Sequence, residues 1–233
     1  MKKTITFLAA AGFVLALVAS YFYLRRNDLP GFRSAHVLEW LNAPEKHPDW
    51  PVEGGMRCGQ APFLLPTDGL IGYLWGDVFH IGQRHQGLDI FGGTQPGQTP
   101  VLAAASGYLT RLPDWKSAVI IRIPQDPLQP ARQIWTYYAH MADPAGRSFI
   151  DGAFPPGTAE KWVEAGTLLG YQGNYSGDPS NPVGVHLHFS LVLDDGNGHF
   201  RDELKFENTL DPSPYLNLSL NARQNTGDIP RCP

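Results

Sequence analysis

An all-β domain behind an N-terminal membrane-spanning helix is the fold class this sequence predicts, and three observations carry it. Short runs rich in β-branched and aromatic residues recur through most of the chain, as in SAVIIRI (117–123), IWTYY (134–138) and VHLHFSLVL (185–193). The 25 glycines and 21 prolines fall between such runs rather than in one tract, the punctuation of strands joined by turns. Residues 4–24 carry no charge at all.

In chain order, Lys2 and Lys3 precede that uncharged stretch, and Arg25 and Arg26 close it. The 20 residues from 5 to 24 would span about 30 Å as a helix, the thickness of a hydrocarbon core. Tyr21, Phe22 and Tyr23 stand where an interfacial aromatic belt is expected. The nearest small-x-small cleavage pattern ends at Ala19 but has Leu17 two residues earlier, so residues 1–26 read as an uncleaved signal anchor, with a cleaved signal as the alternative. Two Lys on one side balance two Arg on the other, and charge does not orient the segment. Placement of the body outside the cytoplasm rests on the cysteines and the chemistry below.

Residues 27–66 form a connector in which 34–41 (SAHVLEWL) suits a short helix with Ser34 as N-cap. Residues 67–218 form the domain proper, with 101–112 read as one strand broken by Gly107. The segment 141–163 is long for a loop in a compact domain and reads as a wall or lid. The tail from 219 to 233 is polar and irregular. Internal repeats, phosphate-cradling glycine loops and nucleophile elbows are absent from the sequence.

Apolar residues make up 42% and charged residues 17%, a globular balance, and the net charge is −4. With no basic stripe to neutralise phosphates, a nucleic-acid partner is discounted and none is expected. Cys58 and Cys232 are too far apart for a CxxC site; in an oxidising compartment they would pair and tie the tail back to the start of the domain.

Of eight histidines, His36, His47 and His199 lie in polar, turn-rich surroundings and read as surface residues. His80 is near enough in sequence to His85 to line the same cleft. His186 and His188 flank Leu187 in a strand-like run, so alternation points both imidazoles to one face and Leu187 and Phe189 to the other. Two such imidazoles on an apolar strand are costly to bury without a ligand or hydrogen-bond partner. His85 and Asp89 share a face in extended chain, with Gly87 between them leaving space. A lone His-x-x-x-Asp arises readily by chance. Joined to the strand histidines, it makes three N/O ligands with one position left for water, the pattern of a catalytic zinc site rather than of a cysteine-rich structural one. His140, ending the run YYAHM, supplies a candidate base beside it. Tyr137 and Tyr138 read first as packing aromatics.

The order His85-x-x-x-Asp89, Tyr138-Ala139-His140-Met141, His186-Leu187-His188-Phe189 resembles the signature of LytM/lysostaphin-type zinc endopeptidases. GLDIFGGTQPGQTPVLAAASGYL (87–109) and EAGTLLGYQGNYSG (164–177) resemble the pieces between these motifs, so the likeness covers roughly 67–216. It implies a mainly antiparallel, β-sandwich-like core of the duplicated hybrid-motif type, with the site in a groove between loops. It further implies Zn2+ held by His85, Asp89 and His188, with His140 and His186 beside the metal as catalytic residues, and peptidoglycan peptides as substrate. Ser190 stands where the family often has Glu, and it is expected off the ligand face. Three rivals stand beside this reading: a non-hydrolytic wall-binding or hydrolase-activating module on the same fold, a metallopeptidase cutting Gly-rich proteins, and a structural zinc protein. The first would be expected to have lost one or more of the five residues, and the open three-ligand count disfavours the last.

Overall fold

The computed structural model describes residues 32–80, 82–225 and 227–232. The anchor expected at 1–26 lies outside them. Among the described residues, no helix is long and apolar enough to cross a membrane.

The expected β-rich body is present. Its main sheet contains β1 (Leu70–Tyr73), β4 (Leu88–Phe91), β6 (Gly107–Thr110), β7 (Val119–Ile123), β8 (Ile134–Ala139), β9 (Lys161–Val163), β11 (Leu187–Leu193) and β12 (Thr209–Leu210). Seven of these run in the order β1-β4-β11-β8-β7-β6-β9, and β12 pairs with the far half of β11. Two ribbons accompany it: β5 (Pro100–Leu102) with β10 (Leu168–Tyr171), and β2 (Val78–His80) with β3 (Gln83–Arg84). All these pairings are antiparallel. The two layers are unequal, an eight-stranded sheet against a two-stranded ribbon.

Alternation divides the main sheet cleanly. Its inner face sends Leu88, Ile90, Leu109, Ile121, Tyr138 and Phe189 into the main core, where Val101 and Leu169 of the small ribbon meet them. The outer face carries two smaller clusters. Ile120, Trp135, Tyr137 and Val192 form one, overlain by Trp115 and Phe200. Leu70 and Phe91 form the other with Val37 and Trp40 of α1 (Phe32–Asn42), which covers the β1–β4 end of the sheet.

Two sequence expectations change here. The run 101–112 is two strands in two sheets, because the small residues Ala103, Ala104 and Ala105 turn in the core and Gly107 opens β6. A Cβ on Gly107 would stand 2.4 Å from the Arg122 carbonyl oxygen, so only glycine permits that strand approach. Ser34 lies inside α1 rather than capping it, and its hydroxyl is 2.8 Å from the Tyr73 hydroxyl. Helix placement follows burial of Val37 and Trp40 instead of the cap.

The segment 141–163 packs as a wall. Met141, Ile150 and Phe154 are buried, and the Arg111 guanidinium donates to the carbonyls of Trp115 and Phe154 and to the Ser148 hydroxyl. Among its described residues the tail has neither helix nor strand, but it buries Leu220 and Ala222. Cys232 is disulfide-bonded to Cys58, closing a loop of 174 residues in sequence.

Candidate metal centre

The site lies on the outer face of the main sheet, between the α1 cluster and the Trp135–Tyr137 cluster. Asp89 of β4 and His188 of β11 are register partners, and directly opposed residues project side by side on one face. Their Oδ1 and Nδ1 atoms are 2.9 Å apart. His85 enters from the chain before β4, its backbone fixed by its N–H to the Asp77 carbonyl and by Gly76 N–H to its own carbonyl, both 2.8 Å. Its Nε2 lies 3.0 Å from Asp89 Oδ1 and 3.1 Å from His188 Nδ1.

Gly87 contributes otherwise than by leaving space. A Cβ there would stand 2.2 Å from the Phe189 carbonyl oxygen, so glycine lets the approach to β4 run against β11 and brings Asp89 beside His188.

This triangle calls for a cation. His85 Nδ1 is 3.0 Å from the Leu74 carbonyl, which only accepts, so Nδ1 carries the hydrogen and Nε2 turns a lone pair on the Asp89 carboxylate. Three lone-pair atoms within about 3 Å repel one another unless a proton or a metal sits among them. Burial opposes charge on Asp89, yet His85 and His186 hold its carboxyl well below the usual range. Burial also opposes charge on His85, but Asp89 outweighs it and raises that imidazole's pKa, while burial wins at His188 and lowers it. Without metal, His85 is thus the better proton acceptor of the two imidazoles. A tetrahedral ion with bonds of about 2.0–2.1 Å holds its ligand atoms about 3.3 Å apart. The observed triangle meets that with an opening of a few tenths of an ångström. Among the described residues, His85, Asp89 and His188 form a group able to hold a metal ion.

The other two expected histidines stand beside this triangle. His186 precedes β11 on the same face as His188, its ring stacked on Phe91 at 5.0 Å and its Nε2 3.5 Å from Asp89 Oδ1. Its Nδ1 donates to the Gly184 carbonyl at 2.7 Å. His140 follows β8 in the left-handed region, at φ 70°. Its ring centre is 4.5 Å from that of His186 and 6.1 Å from that of His188. His140 Nδ1 donates to the Tyr175 carbonyl at 2.7 Å. Burial, with His186 and His188 adjacent, pushes its pKa down to about 3, so the ring is neutral near pH 7. Both imidazoles therefore carry a hydrogen on Nδ1, and the His186 Nε2 faces the Asp89 carboxylate.

Sequence reasoning missed the supporting groups. The carbonyls of Leu74, Tyr175 and Gly184 set three tautomers, and Phe91 supports the His186 ring; backbone acceptors leave no trace in residue type. Ser190 was expected off the ligand face, but strand alternation puts 186, 188 and 190 on one face. Ser190 is buried opposite Tyr137, and its Oγ has no hydrogen-bond partner among the described residues. Tyr137 shares that face, its ring 6.4 Å from His188, while Tyr138 turns inward, where its hydroxyl accepts from Ala104 N–H. Burial, with Glu203 nearby, raises the Tyr137 phenol pKa, so it keeps its proton. Of the remaining histidines, His36 and His47 lie against Trp50, and His199 is exposed.

No model of a known protein family matches the chain, and neither does any curated protein. Solved structures do. The chain is similar to the antimicrobial peptidase lysostaphin from Staphylococcus simulans, at 19% identity over 71% of this chain and 53% of that one, with a TM-score of 0.42. It is similar to a lytM protein of Ruminococcus gnavus at 25% identity, over 64% of this chain and 49% of that one, with a TM-score of 0.36. The catalytic domain of the prophage-encoded protein EnpA from Enterococcus faecalis matches at 19% identity, over 64% of this chain and 95% of that domain, with a TM-score of 0.37. The chain spans about half the length of the lysostaphin and lytM chains. All three TM-scores lie under 0.5, and what the site can do follows from its own residues.

Proposed function

We propose that this chain is a zinc-dependent endopeptidase acting on the peptide stems or cross-links of bacterial peptidoglycan, outside the cytoplasm and tethered by residues 1–26. The observation that carries the reading is the triangle of His85 Nε2, Asp89 Oδ1 and His188 Nδ1, with edges of 2.9–3.1 Å, flanked by two further imidazoles. Two neutral imidazoles and a carboxylate suit zinc and leave one coordination position open. When bound, zinc polarises a scissile carbonyl and acidifies water.

The chain's own residues supply the proton handling. His140 and His186 stand beside the triangle with their Nδ1 hydrogens committed to Tyr175 and Gly184, which leaves Nε2 as the atom that can exchange a proton. One Nε2 accepts the proton given up by the attacking water and passes it to the leaving nitrogen, so the proton count closes on a single imidazole. Such a group contributes about a hundredfold or more to rate. The extracytoplasmic location fits the Cys58–Cys232 disulfide, since such bonds persist in oxidising compartments.

Mass spectrometry of products released from purified wall, with and without chelator, tests the reading. New amino termini that vanish with chelator and return with zinc support it. Wall hydrolysis by zinc-free protein, or zinc bound without any cleavage of wall or oligoglycine, overturns it; the second outcome favours the wall-binding module. Release from oligoglycine alone moves the substrate to Gly-rich peptides.

A further inference from the structure

At the edge of the main sheet farthest from β1, one row of side chains crosses three strands on the outer face. Trp162 of β9 is register partner of Tyr108 on β6, and Tyr108 of Arg122 on β7. The rings of Trp162 and Tyr108 meet edge to face at 5.0 Å, and the Arg122 guanidinium lies 4.6 Å from the centre of the Tyr108 ring. Trp135 on β8 is Arg122's next register partner and belongs to the outer-face cluster, so the row shares a face with His188. From strand rise and spacing, it stands roughly 20 Å from the metal centre.

Trp162, on the edge strand, is 49% exposed, and Tyr108 and Arg122 are half-buried beside it. The Trp162 Nε1–H is held by Glu164 Oε1 at 2.7 Å, and Glu164 is itself bonded by the Ser106 hydroxyl at 3.0 Å. Arg122 is fixed by Glu160 and by Gln133 Oε1 at 3.1 Å. The rings are therefore presented with a rim of planar polar groups, both donors and acceptors.

We infer that Trp162, Tyr108 and Arg122 form a carbohydrate-binding platform for the pyranose units of a glycan strand, an inference that rests on the reading of a cell-wall polymer as substrate. A pyranose offers an apolar C–H face to an aromatic ring and a girdle of hydroxyls to planar amide, carboxylate and guanidinium groups. Other occupants fit less well. The charges here balance, Arg122 and Lys161 against Glu160 and Glu164, so phosphates and anionic lipids meet no net positive field. A protein partner needs roughly 800 Å² of surface per side. The other large apolar side chains exposed among the described residues, Leu38, Leu41, Met56, Leu128 and Leu204, all lie off β6, β7 and β9. What remains is a neutral, hydroxyl-rich polymer whose peptide branches reach the metal centre while its glycan lies along the sheet.

The test uses purified full-length protein and chitohexaose, a β-1,4-linked N-acetylglucosamine oligomer, with binding followed calorimetrically in the presence of chelator. Trp162→Ala is expected to weaken binding at least tenfold with an unchanged melting temperature, and Trp162→Phe to retain most of it. Glu164→Gln, which loosens the indole without removing it, is expected to fall between. Wild-type protein that ignores chitohexaose, or a folded Trp162→Ala variant that binds it as tightly as wild type, overturns the platform. Peptide cleavage by the wild type is scored separately. Sugar binding through Trp162 without cleavage sinks the hydrolase reading and leaves the platform standing, and cleavage with no role for Trp162 in binding does the reverse.

Discussion

Asp89 and His188 face each other across the β4–β11 pairing with Oδ1 and Nδ1 2.9 Å apart, and His85 Nε2 completes the triangle at 3.0 and 3.1 Å. The pair is part of the sheet itself, so two of the three candidate ligands are held by backbone hydrogen bonds between the strands. Asp89→Ala and His188→Ala should each fall below one-tenth of wild-type zinc content by elemental mass spectrometry and lose wall hydrolysis. Chelator should lower the melting temperature of wild type and leave that of both variants unmoved.

His140 is the one catalytic candidate in the left-handed region, at φ 70°. A residue with a Cβ is strained there by about 1 kcal/mol relative to glycine. His140→Gly should therefore be about 1 kcal/mol more stable than His140→Ala by chemical denaturation. Both should retain zinc and lose about a hundredfold in turnover. Equal stability of the two variants would show that the backbone strain is absent.

Gly87→Ala places a methyl group 2.2 Å from the Phe189 carbonyl oxygen. The strands must separate, at a cost of about 2–3 kcal/mol, and Asp89 moves from His188. Denaturant unfolding should show the loss, and zinc affinity should fall with it. Full zinc affinity in a destabilised variant would separate strand packing from ligand placement.

The Cys58–Cys232 bond closes a loop of 174 residues in sequence. On the chain-entropy account, removing it costs about 5 kcal/mol. Cys58→Ser, or wild type under reducing agent, should melt well below the oxidised protein, and adding reducing agent to the variant should change nothing further.

Asp194 accepts from the Trp135 indole, the Gln133 amide and the Gly196 backbone. Burial works against its charge, but these donors hold its pKa below the ordinary 3.8. Its stabilising contribution is thus present above the unfolded value and fades as pH falls through the lower folded one. Asp194→Asn should be less stable than wild type at pH 7, and the gap should close as pH falls through the lowered folded value. A gap independent of pH would mean that the carboxylate's charge plays no part.

The sequence by itself determined the strand-rich body and named the chemistry-bearing residues that the fold gathers. Alternation around Leu187 put His186 and His188 on one face before any fold was known, because the period of a strand is a local property of the chain. The same period placed Ser190 there too, a consequence that sequence reading missed. His85 and Asp89 were weak alone, and nothing in their spacing says that Gly87 serves strand approach rather than open space. That depends on a carbonyl of Phe189, a hundred residues away in sequence. The tautomers of His85, His140 and His186 were equally out of reach, since each is set by a backbone carbonyl that any residue type can provide. The cross-strand row of Trp162, Tyr108 and Arg122 also exists only in the folded sheet, where register brings together three residues spread over more than fifty positions. Local periodicity decides which way a side chain points, and only long-range strand pairing decides what it meets.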